Sequence, residues 1–144
     1  MKLKSCISEN PHQNLKSVAF EPKFLLKSVV VTCTPNKRAL FENMIVSEYM
    51  KRKYHNNERQ MDLWYWRDSE KNEVDLLIEK PQETEIIEIK ATQTIMSDLF
   101  KGLNHYAALE TEVKLTKTLV YGGNESQKRS VARVLSWNDV NVSV

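Results

Sequence analysis

Apolar residues recur along this chain with two different periods, and each change of period marks an element boundary. Over residues 37–54 they fall at Leu40, Phe41, Met44, Ile45 and Tyr49. Spacings of three and four predict a helix with those residues on its buried face. Asn36, after Pro35, suits its N-cap. From Leu63 the period drops to two, and Leu63–Arg67, 73–78 and 84–90 read as strands. Residues 68–72 form the first turn, and Pro81-Gln82 the second. Helical spacing returns at Met96, Leu99, Phe100, Leu103, Tyr106 and Ala107, predicting a helix over about 96–110 that Thr94 or Ser97 would cap. Leu115–Tyr121, ended by Gly122-Gly123, and 130–135 are further strands. Residues 1–36 are polar and broken by Pro11, Pro22 and Pro35. Their one apolar run, 24–31, holds Val29-Val30-Val31 and favours a short strand.

The expected order is helix, three strands, helix, strand, strand. A right-handed crossover through the second helix makes the strands on either side of it parallel neighbours. The expectation is an α/β fold, a mixed central β-sheet flanked by helices. Residues 1–36 are expected as an N-terminal arm or linker remnant, and residues 37–144 as the folded domain.

Composition narrows the class without naming it. The 144 residues, 41% hydrophobic and 28% charged, match a soluble one-domain protein. No stretch approaches the roughly 20 apolar residues of a membrane span, and Lys2, Lys4, Glu9 and Pro11 interrupt any secretory signal. Cys6 and Cys33 lack metal spacing, so a cytoplasmic location is expected. His12, His55 and His105 are scattered, which favours ordinary surface or satisfied histidines. Net charge is only +2, but it is unevenly placed. Residues 1–40 carry seven Lys or Arg against two acids, and residues 41–110 carry nine against fourteen. Residues 111–144 return to five against three. An acidic centre between basic flanks suits a cation and repels bare phosphate.

The acidic centre holds the candidate chemistry. Glu88 and Lys90 share a strand face, and a turn at Pro81-Gln82 places Asp75 opposite Glu88. Opposed carboxylates repel unless a proton or a cation lies between them. A divalent metal with a lysine beside it resolves the conflict, as in a metal-dependent phosphodiesterase. The plainer alternative is a solvated edge hairpin. Against it, Ile86 shares the face of Glu88 and Lys90, and Leu77 that of Asp75. Spacing alone leaves both readings standing.

Other features favour structural readings. Trp64, Tyr65 and Trp66 would stack bases or, more simply, pack across strands. Lys51-Arg52-Lys53 would grip phosphate or, more simply, complement a helix C-terminus. Gln127-Lys128-Arg129 reads first as a solvated loop, and Lys101 and His105 as the border of a substrate groove, with Tyr106 on the buried stripe. Lys101, Lys128 and Arg129 are the nucleic-acid contacts expected if there are any.

An acid on the first helix, an Asp on the second strand and Glu-x-Lys on the third resemble the PD-(D/E)XK nuclease superfamily. ALFENMIVSEYMKRKY, LWYWRDSEKNEVDLLIE, IIEIKATQTIMSDLFKGLNHY, LVYGGNESQKRS and VLSWND are similar to one branch more closely. That branch is the C-terminal domain of unknown function carried by many bacterial and archaeal AAA-type ATPases. The resemblance spans about residues 39–140 and implies a restriction-endonuclease-like α-β-β-β-α-β core. By position it implies Glu42, Asp75, Glu88 and Lys90 as catalytic residues. Mg²⁺ or Mn²⁺ would be held by Asp75, Glu88, the Ile89 carbonyl and Glu42, with Glu48 a rival to Glu42. Val74 stands where the superfamily often has proline. The chain has only three glycines and no G-x-x-x-x-G-K-[ST] loop, so no ATPase activity is expected of it. Two functions remain in view: a metal-dependent nuclease on DNA or RNA, and a non-catalytic module binding nucleic acid, a protein partner or a separate ATPase. A homodimer is left open.

Overall fold

The computed structural model describes residues 37–56 and 63–140. The arm expected over residues 1–36 lies outside the described residues, as do Cys6, Cys33 and His12. Helix α1 spans Lys37–His55. Strands β1 (Leu63–Arg67), β2 (Glu73–Lys80) and β3 (Glu83–Lys90) follow it. A 3₁₀ turn, Ser97–Phe100, leads into α2 (Lys101–Leu109). Strands β4 (Leu115–Tyr121), β5 (Gln127–Lys128) and β6 (Arg133–Ser136) complete the sheet, and a second 3₁₀ turn, Trp137–Asp139, follows.

The strands form one six-stranded mixed sheet in the order β1-β2-β3-β4-β6-β5. β1, β2 and β3 run antiparallel as a meander, and β3, β4 and β6 run parallel. The expected α/β architecture is what the chain adopts. The connection through α2 makes β3 and β4 the expected parallel neighbours.

Each face of the sheet buries its own cluster. On the α1 side, Ile45 and Tyr49 pack with Leu76, Ile78, Ile87, Ile89, Val120 and Leu135. On the α2 side, Phe100, Leu103 and Tyr106 pack with Trp66, Val74, Leu77, Ile86, Leu119 and Val134. β3 serves both, because Ile86 faces α2 while Ile87 and Ile89 face α1.

Several expectations need correction. Leu40 and Met44 do not join the buried face of α1. They are 53% and 38% exposed, and the buried stripe instead runs through Phe41, Ile45, Val46, Tyr49 and Met50. The second helix opens with a 3₁₀ turn in which neither Thr94 nor Ser97 caps, and Met96 is exposed. β5, only two residues long, carries no periodic signal and was not anticipated. The last parallel strand begins at Arg133 rather than at Ser130.

One irregularity bears on function. Trp64 pairs with Leu77, but Trp66 pairs with Val74, so Asp75 and Leu76 together stand opposite Tyr65 alone. β2 therefore carries a bulge, which bends a strand and re-aims its side chains. Strict alternation would put Val74 with Leu76 and Ile78; the bulge places it with Leu77 on the α2 side.

Candidate metal centre

The hairpin turns at Pro81-Gln82, with Lys80 paired to Glu83 and the register running back to Leu76↔Ile87. One further step of that register sets Asp75 opposite Glu88. Pairing stops there because the bulge lifts β2 away. Asp75 Oδ2 instead accepts the Ile89 N–H at 2.8 Å. The N–H and C=O of one strand residue point to the same side, so the Ile89 carbonyl also faces this opening. The Lys90 carbonyl faces β4, where it accepts the Gly122 N–H at 3.1 Å.

Both carboxylates converge on Lys90. Its ammonium contacts Glu88 Oε1 and lies 3.8 Å from Asp75 Oδ2. All three side chains are largely withdrawn from water: those of Asp75 and Glu88 are 5% exposed and that of Lys90 is 15% exposed. Glu88 Oε2 is buried with no hydrogen-bond partner among the described residues. Burial first, then the negative charge of Asp75, pushes the Glu88 carboxyl up to about 7, against the opposing pull of Lys90. Burial pulls Lys90 toward its neutral form, but the charges of Glu88 and Asp75 prevail and hold its pKa above the usual value.

Three residues of this neighbourhood escaped sequence reasoning. Glu73 adds negative charge beside Glu88, and its Oε2 accepts the Tyr65 hydroxyl at 2.7 Å. Desolvation and that hydrogen bond both raise the Tyr65 pKa. Gly102, on the first turn of α2, backs the site. A Cβ there would collide with the Glu73 carbonyl oxygen and come within 3.2 Å of Glu88 Oε2. The signals were present but undirected: an acid two residues before Asp75, and a glycine on a helical stripe.

Glu42 does not join the pair. It lies on α1, 3.9 Å from Arg38 Nε. Among the described residues no three His, Cys, Asp or Glu side chains are grouped to hold one metal ion. Glu48, the rival, contacts Lys51 on the surface of the same helix. Arg38 is close enough for its charge to oppose that of the Lys90 ammonium.

The expected nucleic-acid contacts are dispersed. Lys101 is exposed at the start of α2, while Lys128 and Arg129 are exposed at the β5 end of the sheet. β5 stands three strands from β3, roughly 14 Å at about 4.8 Å per strand. Trp66 is a core residue, edge-on to Tyr106 at 5.1 Å. Lys53 is buried, and Arg52 lies over the Tyr49 ring at 5.4 Å, so the basic run of α1 is largely structural. His105 Nε2 lies 2.9 Å from Asp68 Oδ2, which also accepts Asn72 Nδ2 at 2.8 Å, and the three hold the β1–β2 turn against α2.

The donor set suits a hard divalent cation. Two carboxylates and a backbone carbonyl border one opening, and an oxygen of Glu88 there lacks a partner. Oxygen-only donors favour Mg²⁺ or Mn²⁺ over zinc, and Mg²⁺ commonly uses one or two carboxylates with water completing its shell.

Fold and site together define an α/β protein whose mixed sheet opens beside a buried Asp–Glu–Lys cluster. The chain belongs to the DUF4143 family, a domain of unknown function, whose model matches residues 37–140. Domains of this family are found in the C-terminal regions of AAA-type ATPases. No curated protein matches the chain. Among the described residues no helix is long and apolar enough to cross a membrane.

Proposed function

We propose that this chain is a Mg²⁺- or Mn²⁺-dependent nuclease with a restriction-endonuclease-like core of the PD-(D/E)XK kind. The observation that carries the reading is the meeting of Asp75, Glu88 and Lys90 where β2 leaves β3. Asp75, Glu88 and the Ile89 carbonyl would hold the cation. When bound, the ion supplies a water of lowered pKa and neutralises charge on the scissile phosphate.

The chain's own residues supply the rest. The Ile89 amide fixes the Asp75 carboxylate, so this ligand is oriented before the ion arrives. A cation held by Glu88 would take the place of the proton that burial and the Asp75 charge otherwise favour on its carboxyl. Lys90 stays protonated and little exposed, so its charge acts on the phosphorane with weak solvent screening.

Incubation of the purified chain with single-stranded, duplex and branched DNA and with RNA, in Mg²⁺ and in Mn²⁺, tests the reading. Cleavage of at least one substrate is expected, and its loss in Lys90→Ala with metal affinity retained. Calorimetry should show metal binding abolished by Asp75→Ala and unchanged by Glu42→Gln. Metal binding with no cleavage at enzyme excess ends the nuclease reading.

One observation favours a second reading. No three-carboxylate group exists among the described residues, fewer anionic ligands than a two-metal site calls for. A non-catalytic module using this fold to bind a protein partner or a separate ATPase fits that count.

A further inference from the structure

Between Asp75 and Glu88 the chain already places a positive charge of its own. The Lys90 ammonium contacts Glu88 Oε1 and stands 3.8 Å from Asp75 Oδ2. A Mg²⁺ ion held by the same two carboxylates would lie about 2.0–2.1 Å from their oxygens. Ammonium and metal ion therefore draw on the same ligands. Both acids are only 5% exposed, so water does little to screen one cation from the other. As one cation tightens its hold, the other must loosen.

Of the three side chains, the lysine is the one built to yield. Asp75 is fixed by the Ile89 N–H at 2.8 Å, and Gly102 packs close behind Glu88 Oε2. The Lys90 backbone is fixed too, paired with Tyr121 on β4 and accepting the Gly122 N–H at 3.1 Å. Its ammonium is held more loosely. Glu88 is in direct contact, but 3.8 Å to Asp75 is longer than a hydrogen bond. Lys90 is also the last residue of β3, and its side chain is 15% exposed. A flexible four-carbon stem lets its charge turn past the strand end while the backbone stays in the sheet. Glu85 on the same strand is held differently, accepting from Arg133, Thr118 and Lys80 at once.

We infer that Lys90 is the built-in counter-cation of the Asp75–Glu88 pair, and that a divalent ion binds by exchange with its ammonium, which then turns outward to the substrate's phosphate. The inference rests on the proposed metal site and adds an order of events to it. Metal enters first, and the lysine becomes available to phosphate only where metal has taken its place. Without metal, the lysine stays engaged on the chain's own carboxylates.

Calorimetric titration of the full chain with Mg²⁺ and with Mn²⁺ tests the exchange. The nuclease reading asks only that metal affinity survive the loss of Lys90, whereas exchange asks that it rise. Lys90→Met removes the competing charge and keeps the length of the stem. It should bind the ions about 10- to 100-fold more tightly than wild type, the scale of one charge-assisted hydrogen bond. Arg38→Met removes a charge that acts on Lys90 from a distance, and its gain should be far smaller. A second readout uses the wild-type chain. By NMR of isotope-labelled lysine side chains, the hydrogen-bond coupling between the Lys90 ammonium and the Glu88 carboxylate should vanish as Mg²⁺ saturates, and should persist in Asp75→Ala. A gain no larger than that of Arg38→Met, or a coupling that persists in wild type at saturating Mg²⁺, overturns the inference and leaves the nuclease reading standing. Exchange without cleavage of any nucleic acid ends the nuclease reading and leaves the exchange standing. Metal binding by Lys90→Met but not by wild type supports the exchange, and binding by neither overturns both.

Discussion

Glu85 and Glu88 stand three residues apart on β3, both buried, and the sheet deals with them differently. Glu85 accepts from Arg133 at 2.8 Å, Thr118 at 2.9 Å and Lys80 at 3.2 Å, so its charge is answered on both oxygens. Glu88 has Lys90 on one oxygen and no partner on the other. Buried polar groups are normally satisfied, and an exception asks for a missing partner. The consequence for pH follows from linkage. The folded pKa of Glu88, about 7, lies above the ordinary 4.5. Its stabilising contribution is therefore fully present below pH ~4.5 and lost as pH rises toward ~7. Glu88→Gln should remove that loss and stabilise the metal-free chain near pH 8 by up to about 3 kcal/mol. Urea denaturation at pH 5 and pH 8 without metal checks it: wild type should weaken between the two and the variant should not. A wild-type midpoint unmoved between these pH values would refute the assignment.

Among the elements, the hairpin was the part most legible in the chain. Period-two alternation and Pro81-Gln82 fix the β2–β3 register, and register decides which side chains can meet. The bulge at Asp75 was not legible, because it depends on how β1 pairs, and Tyr65 gives no sign that it must span two residues. The face of α1 departs from the helical pattern at Leu40 and Met44, which spacing places beside Phe41 and Ile45 but which stay exposed. Neither the role of Glu73 nor that of Gly102 can be found without knowing that α2 packs at the start of β2. Two predictions belong here. Gly102→Ala forces α2 off the Glu73 carbonyl and should cost about 1–3 kcal/mol, as overpacking does, read as a lowered denaturation midpoint. Arg133→Ala leaves Glu85 with fewer donors, and losing a hydrogen-bond partner in a buried site costs about 1–3 kcal/mol. The Arg133 side chain is 41% exposed, which places the expectation at the lower end.

The whole molecule separates its charges along the chain, and that separation governs how a polyanion meets it. Residues 41–110 carry fourteen acids against nine Lys or Arg, and the carboxylates at the candidate centre fall within that stretch. Lys128 and Arg129 stand at the opposite side of the sheet from β1 and β2. A strand laid across the molecule would meet cations at the periphery and repulsion at the centre. Divalent metal at the centre changes the sign of the local interaction, whereas monovalent salt only screens it. Strand affinity should therefore rise when Mg²⁺ is added at constant ionic strength, and fall as KCl is raised at constant Mg²⁺. Asp75→Ala should weaken the response to Mg²⁺, while Lys128→Ala/Arg129→Ala should flatten the response to KCl. Anisotropy titrations along both salt axes read the two effects separately. An affinity that ignores Mg²⁺ in wild type, with the KCl dependence intact, would assign all strand binding to the periphery and leave the Asp75–Glu88 pair without a part in it.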